Sequence, residues 1–324
     1  MIRSVFVYES ASTDPHFNLA AEQYLLETVK EGQCILYLWQ NQNTVVIGRN
    51  QNPWKECRTT LLAQEGGHLA RRLSGGGAVF HDLGNLNFTF LMPQADYDLD
   101  RQLTVIQEAV RSLGVPAERS GRNDILAAGR KFSGNAFYKN GKQAYHHGTL
   151  LVDVDMDRLN RYLSPSKAKL QAKGVDSVRS RVVNLRELAP GITVEALKAA
   201  LRVSFGRVYG HCVHPLADAQ LDLGRIQALT ARNRSWEWNF GQKLPFTFER
   251  EARFPWGSLH IQLQITEGII RQAKLYSDTM DWSFAPAAER QLTGCRFEQA
   301  SIQEHLKGIL FAEDICRMLW DQSL

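Results

Sequence analysis

The apolar positions fall into alternating and helical stretches that predict a chain of mixed α+β character. "SVFVYES" at 4–10 alternates as a strand, and "NLAAEQYLLETVK" at 18–30 has helical spacing with Asn18 as its expected N-cap. Two more strand-like runs, "CILYLW" at 34–39 and "TVVIG" at 44–48, are joined by the polar "QNQN". "LNFTFLM" at 86–92 reads as another strand, and a helix over 101–113 stops at Gly114 with Pro116 just beyond. Apolar runs on either side of Asn140-Gly141 predict a hairpin. A helix over 193–210 is expected to be capped by Thr193 and ended by Gly210.

The pattern then breaks and restarts. "SWEWNFGQKLPF" at 235–246 reads as a connector, after which "LHIQLQI", Glu267-Gly268 and "IIRQAKLY" form a second hairpin signal and an apolar-rich helix closes the chain. The expected division is a large domain over 1–243 and a small α+β domain over 244–324. Strands in adjacent hairpins favour α+β over a parallel α/β sheet.

Composition narrows the function classes. With 324 residues, 44% hydrophobic and 22% charged, the chain is ordinary globular protein, long enough to bury a core without staples. Thirty-eight Lys and Arg against 34 Asp and Glu give a net +4, compatible with anionic ligands and too small to argue for nucleic acid. The five cysteines are scattered and never paired as C-x-x-C, so neither a disulfide framework nor a zinc site is expected. No apolar run reaches membrane-spanning length, and the stretch between Arg3 and Glu9 is too short for a signal-peptide core. A reducing, cytoplasmic setting is the expectation.

Three stretches carry candidate chemistry. In "RRLSGGGAVFHDLGNLNFTF" at 71–90, three glycines follow Arg71, Arg72 and Ser74. Glycine triplets cost conformational entropy, and the two readings are a plain strand connection or a backbone that admits an anion between bare N–H groups and guanidinium forks. The stretch is neither a Walker A loop nor a Rossmann fingerprint. "SGRNDILAAGRKFSGNAF" at 120–137 sets Lys131 in an apolar strand context. Its ammonium either snorkels to solvent or faces an anionic ligand. Asn123 and Asp124 suit a hydrated Mg²⁺, a ribose or an ordinary turn. In "HHGT" at 146–149, neighbours on a strand point to opposite faces, so at most one of His146 and His147 serves a shared site. A polar positioning role is preferred there to a metal. His81-Asp82 is similarly open. No cysteine lies between residues 58 and 211, which disfavours a thioester route through these clusters.

These stretches, with "HFNLAAEQYLL" at 16–26, "SVRSRVVNL" at 177–185 and "SWEWNFG" at 235–241, resemble the lipoate–protein ligase A family. The resemblance spans nearly the whole chain and thins over the last 80 or so residues. It implies a catalytic domain of the biotin/lipoyl-ligase type with mixed and antiparallel sheets, followed by a small accessory domain. The implied reaction activates free lipoate with Mg-ATP to lipoyl-AMP. The lipoyl group then passes to a lysine of the lipoyl domain of a 2-oxoacid dehydrogenase E2 subunit, or of the glycine-cleavage H protein. Carried over by the resemblance, Lys131 is the central catalytic lysine. Arg72, Gly75, Gly76, Gly77, Ala78, Val79, Phe80, Asn123, Asp124 and Lys131 line the ATP and adenylate site, with Asp124 as a candidate Mg²⁺ ligand. Trp39, Arg72, Ser74, Gly75, Lys131 and His147 surround lipoate, Trp39 and Val46 contributing to an apolar tunnel. Residues 166–182 correspond to a segment that closes over the adenylate. A monomer without membrane or nucleic-acid partners is expected.

The residues fit that chemistry, because a carboxylate meeting a triphosphate needs Lys131, the Arg71/Arg72 pair and Mg²⁺ to offset the growing negative charge. "KFSG" holds Ser133 where lysine-adenylating enzymes carry an aspartate, so Lys131 is read as a charge stabiliser and not a nucleophile. The alternative on the same fold is an ATP-independent lipoyl or octanoyl transferase. The G-R-G-R-x-G-R loop of biotin ligases is absent, and a carrier-binding module without catalysis is disfavoured because Lys131 and the glycine triplet are both intact.

Overall fold

The computed structural model describes residues 1–120, 124–164, 182–241 and 246–320. The expectations for Asn123 and for 166–181 therefore lie outside the described residues. An eight-stranded mixed sheet forms the larger part. Its strands are β1 (Ser4–Glu9), β2 (Gln33–Trp39), β6 (Asn85–Pro93), β7 (Ala117–Ser120), β8 (Asp124–Ala127), β9 (Arg130–Lys139), β10 (Gln143–Leu151) and β11 (Val213–Pro215), ordered β11-β1-β2-β6-β10-β9-β8-β7. The β1 contacts to β2 and β11 are parallel, and every other ladder in this sheet is antiparallel.

Both faces are covered, which explains the near-continuous apolar runs. On one face, helices Leu99–Ser112 and Val194–Tyr209 pack Val105, Ile106, Leu201 and Phe205 against Leu36, Phe88 and Phe90. On the other, α1 (Pro15–Thr28) and helix Leu223–Arg234 bury Leu25, Leu26 and Ile226 against Tyr37 and Tyr145. A small second sheet, β3 (Thr44–Ile47) between β4 (His68–Arg71) and β5 (Val79–His81), frames the glycine stretch.

The α1 cap differs from the sequence expectation. Asp14 caps the helix, accepting from the His16 amide at 2.9 Å, with Pro15 at the first helical position. Asn18 is instead buried inside the first turn, where its amide donates to the Ser12 and Gln40 carbonyls and bonds Asn41. The connector holds a short helix, Trp236–Phe240, bound to the larger part: Trp238 lies between Arg49 and Arg232 at 4.3 and 4.1 Å and donates to Arg71 O.

The small C-terminal domain is an antiparallel sheet of β12 (Phe248–Phe254), β13 (Gly257–Thr266) and β14 (Ile269–Ser277) covered by helices Phe284–Leu292, Gln299–His305 and Ala312–Trp320. It has its own core around Leu259, Ile261, Phe284 and Ile315. The loop after β14 reaches back to the larger part. Ser277 N donates to Asn50 O at 2.9 Å, Asn50 Nδ2 donates to Trp282 O at 2.8 Å, and Trp282 meets Tyr138 with ring centroids 4.7 Å apart. Among the described residues no helix is long and apolar enough to cross a membrane.

Candidate functional site

A chain of buried polar groups runs between β2, β6, β10, α1 and the loop after β4. His147 turns from β10 toward α1, with Nδ1 2.8 Å from Glu22 Oε1 and Nε2 2.9 Å from Ser74 Oγ. Glu22 also accepts from Thr89 Oγ1 at 2.7 Å, and Thr89 accepts from Trp39 Nε1 at 3.1 Å. Arg72 Nε donates to Ser74 Oγ at 3.1 Å. The Glu22 carboxylate can only accept, so the imidazole carries a proton on Nδ1 facing it, while Ser74 Oγ pairs with Nε2 on the other side of the ring. Glu22 is 1% exposed, and its burial is tolerable because two donors meet the carboxylate.

One buried polar atom beside this chain has no hydrogen-bond partner among the described residues, His81 Nε2, while the Tyr145 hydroxyl faces Ser74. His81 stands edge-on to Trp39, with Asn41 2 residues past Trp39 and 3.2 Å from its Nδ1. Burial, with Arg72 and His147 nearby, pushes His81 down to about 3, so the ring is neutral. Tyr145 packs 4.7 Å from the His147 ring. Trp39 and Val46 are both buried apolar neighbours in the same core. An unpartnered buried ring nitrogen such as His81 Nε2 is a place where a ligand's polar group can bind.

The two arginines have separate duties. Arg71 donates to the carbonyls of Gly48, Arg49, Gln51, Trp238 and Asn239, so its guanidinium is occupied by backbone and is not a second anion fork. Arg72 reaches Ser74 Oγ and the carbonyls of Val46, Gly75 and Gly77, the last at 2.7 Å, gathering the glycine loop from inside. Burial lowers its pKa to about 10, which leaves it charged at neutral pH.

The glycines meet protein atoms here. A Cβ on Gly75 would come within 2.6 Å of Met280 O and also strike Thr279 O, both backbone atoms of the C-terminal domain. Gly76, at φ +86°, donates its N–H to Thr279 O at 2.9 Å. Beyond the triplet, Ala78 leads into β5, where Val79 pairs with Val46 and Phe80 packs on Tyr162 at 5.5 Å.

Lys131 and Asp124 form an ion pair at 2.6 Å, both about three-quarters buried. His146, on the opposite face of β10 from His147, bonds Gln102 and Asn135 among Phe88, Phe90 and Phe137; burial pushes it down to about 3. Among the described residues no three His, Cys, Asp or Glu side chains are grouped to hold a metal. The structure thus joins Trp39, Arg72, Ser74 and His147 in one network, while Asp124 and Lys131 pair on neighbouring strands. Sequence reasoning missed Glu22, Thr89 and Tyr145. A glutamate within the apolar run "NLAAEQYLL" is the one local signal that Glu22 is buried with a purpose.

The chain belongs to the family described as lipoyl protein ligase A/B catalytic domain, whose pattern matches residues 14–206, more than half its length. Residues 243–318 match the bacterial lipoate protein ligase C-terminus. A structure of P. falciparum LipL1 in complex with lipoate is 28% identical, with 97% of this chain and 98% of that chain covered and a TM-score of 0.85. A lipoate-protein ligase A bound with ATP is 25% identical over 74% of this chain and 99% of that chain, with a TM-score of 0.63. A bipartite archaeal ligase from Thermoplasma acidophilum, described with its E2 lipoyl domain, shares the fold at 24% identity. Its TM-score is 0.65 over 76% of this chain and 100% of that one.

Proposed function

We propose that this member of the lipoyl protein ligase A/B family is an ATP-dependent lipoate–protein ligase. In the first step a lipoate carboxylate oxygen attacks the α-phosphorus of ATP. The bond between the α-phosphorus and its bridging oxygen breaks, giving lipoyl-AMP and pyrophosphate. In the second, the neutral amine of an acceptor lysine attacks the lipoyl carbonyl, AMP leaves, and the amine loses a proton as the amide forms. Proximity of amine and mixed anhydride supplies much of that rate.

The observation that carries the reading is the buried network from Trp39 to Arg72, with the unpartnered His81 Nε2 beside it and the apolar Trp39 and Val46 in the adjoining core. It is a setting for an amphipathic acid whose polar end meets cations. Arg72 and the Lys131 ammonium are read as offsetting the charge that develops at the α-phosphate. Gly75 to Phe80 and the segment of Asn123 and Asp124 are read as the nucleotide side, and Trp39, Ser74, Gly75 and His147 as the lipoate side.

Asp124 is a single carboxylate already held by Lys131, and no resident metal centre is proposed; Mg²⁺ is taken to arrive as part of the MgATP substrate. The acceptors are lipoyl domains of 2-oxoacid dehydrogenase E2 subunits or the glycine-cleavage H protein. The resemblance implies a monomeric, cytoplasmic enzyme, and five unpaired cysteines suit a reducing compartment. Burial speaks against a thioester-forming transferase, since it pushes the thiols of Cys34 and Cys57 up to about 12 and keeps them protonated.

Intact mass of an apo lipoyl domain incubated with the protein and free lipoate, with and without MgATP, tests the proposal. A lipoyl mass shift that requires ATP is expected. A shift obtained only from an acylated carrier protein would replace the ligase with the transferase. Lys131→Ala is expected to fold and to lose pyrophosphate release, and near-normal release would remove Lys131 from its role.

A further inference from the structure

Lys131 is aimed by an irregularity in its own strand. Across β8 and β9, Asp124 pairs with Gly134 and Ile125 with Ser133, but Leu126 pairs with Lys131, so Phe132 is an extra residue. Asp124 and Leu126 share a face of β8, and their partners Gly134 and Lys131 must therefore share a face of β9. On a regular strand, residues three apart would face opposite ways. The extra residue turns Phe132 into the core, where it is fully buried.

The space Lys131 occupies exists because residue 134 has no side chain. A Cβ on Gly134 would lie 2.9 Å from both Cε and Nζ of Lys131. The ammonium thus crosses the bare backbone of Gly134 to reach Asp124, which stands opposite Gly134 on β8 at 2.6 Å from Nζ. The Lys131 backbone is fixed from the other side as well, its carbonyl accepting from Val183 N at 2.9 Å. Gly134 N donates to Thr149 Oγ1 at 3.3 Å, two residues along β10 from His147.

We propose that Gly134 is a positioning residue for the Lys131 ammonium: together with the bulge at Phe132 and the Asp124 carboxylate, its bare backbone sets where that charge stands. The inference rests on the reading of Lys131 as the charge stabiliser of adenylate formation. The atoms that a new Cβ would strike are the mobile end of a lysine, so Gly134→Ala displaces the ammonium at small cost to the fold. Displacement by an ångström is the scale at which a positioned group loses about 100-fold in rate.

Two readouts test this. Pyrophosphate release by Gly134→Ala is expected to lose about 100-fold in kcat with the KM values for lipoate and ATP changed far less. Independently of activity, amine acylation by acetic anhydride, read at Lys131 by peptide mass, is expected to quicken in Gly134→Ala and in Asp124→Asn. Wild-type labelling and wild-type kcat in folded Gly134→Ala would overturn the inference. If the wild-type protein releases no pyrophosphate, the ligase reading falls while the labelling still judges the positioning.

Should Gly134→Ala prove unstable, its melting temperature is compared in wild-type and Lys131→Ala backgrounds. A loss that disappears without the lysine supports the proposal. An equal loss in both would make Gly134 a purely structural glycine.

Discussion

Replacing Gly75 by alanine tests what the glycine loop is built against. The added Cβ would sit 2.6 Å from Met280 O, and it would strike Thr279 O as well. Neither is the end of a flexible side chain, so the loop after β14 must retreat by roughly 1 Å to restore ordinary contact. That retreat takes the Gly76 N to Thr279 O bond from 2.9 Å out of hydrogen-bonding range. Two bonds through Asn50 and the Tyr138–Trp282 ring pair lie on the same loop. At about 1 kcal/mol for each hydrogen bond and a similar amount for the rings, up to about 4 kcal/mol of docking is exposed to this one methyl group. The docked-to-undocked ratio then falls by up to roughly a thousandfold. Hydrogen–deuterium exchange, followed by peptide, reads the effect. Peptides around 75–77 and 277–283 should exchange faster, while β13 keeps its protection. Gly191→Ala, whose Cβ enters open space, is the control for alanine's effect on the unfolded chain. Unchanged exchange at both peptides in Gly75→Ala would refute the reasoning.

Two further outcomes are expected. Glu22→Gln keeps the shape of an acceptor for His147 and Thr89 but removes the charge. It should raise the KM for lipoate about tenfold while leaving that for ATP near wild type, and the reverse pattern would move the network to the nucleotide side. His81 and His146 are held neutral in the fold at about 3, whereas in an unfolded chain they titrate near 6.5. Below that value the unfolded state binds protons that the folded state excludes. Their contribution is thus present above pH 6.5 and lost as pH falls toward 3, at about 1.4 kcal/mol per histidine by pH 5.5. Urea midpoints from pH 7 to 5 should fall less steeply in His146→Gln than in wild type; parallel slopes would show that His146 is not protected from protonation.

What could be read from the sequence is what local pattern determines. The hairpin at Asn140-Gly141, the helix from Thr193 to Gly210 and the return of strand pattern after the connector depend on neighbours in sequence, and the structure has them. The opposite facing of His146 and His147 follows from the strand period alone. Failures occur where the deciding partner is distant. Asn18 has a capping residue's chemistry, yet Asp14 precedes Pro15 and takes the cap, which frees Asn18 to bind Gln40 and Asn41. Arg71 looks like half of a phosphate clamp beside Arg72, and only the fold reveals the five carbonyls that surround it. The partner of Glu22 lies 125 residues away, and the extra residue at Phe132 is visible only once β8 supplies the register.

The glycine triplet shows why such a motif admits two readings at once. A bare N–H at a positive φ suits an anion, and it equally suits a carbonyl from another part of the chain. Gly76 has that carbonyl, Thr279 O, while Arg72 holds the loop's own carbonyls from beneath. Any ligand that needs the Gly76 N–H must therefore displace Thr279, and the two occupants weaken one another by the same factor in either direction. Gly75→Ala separates them: a ligand that competes with the C-terminal loop should bind the variant more tightly than wild type, because docking no longer opposes it. A ligand cradled by the triplet without such competition should bind more weakly, because the added methyl group obstructs it.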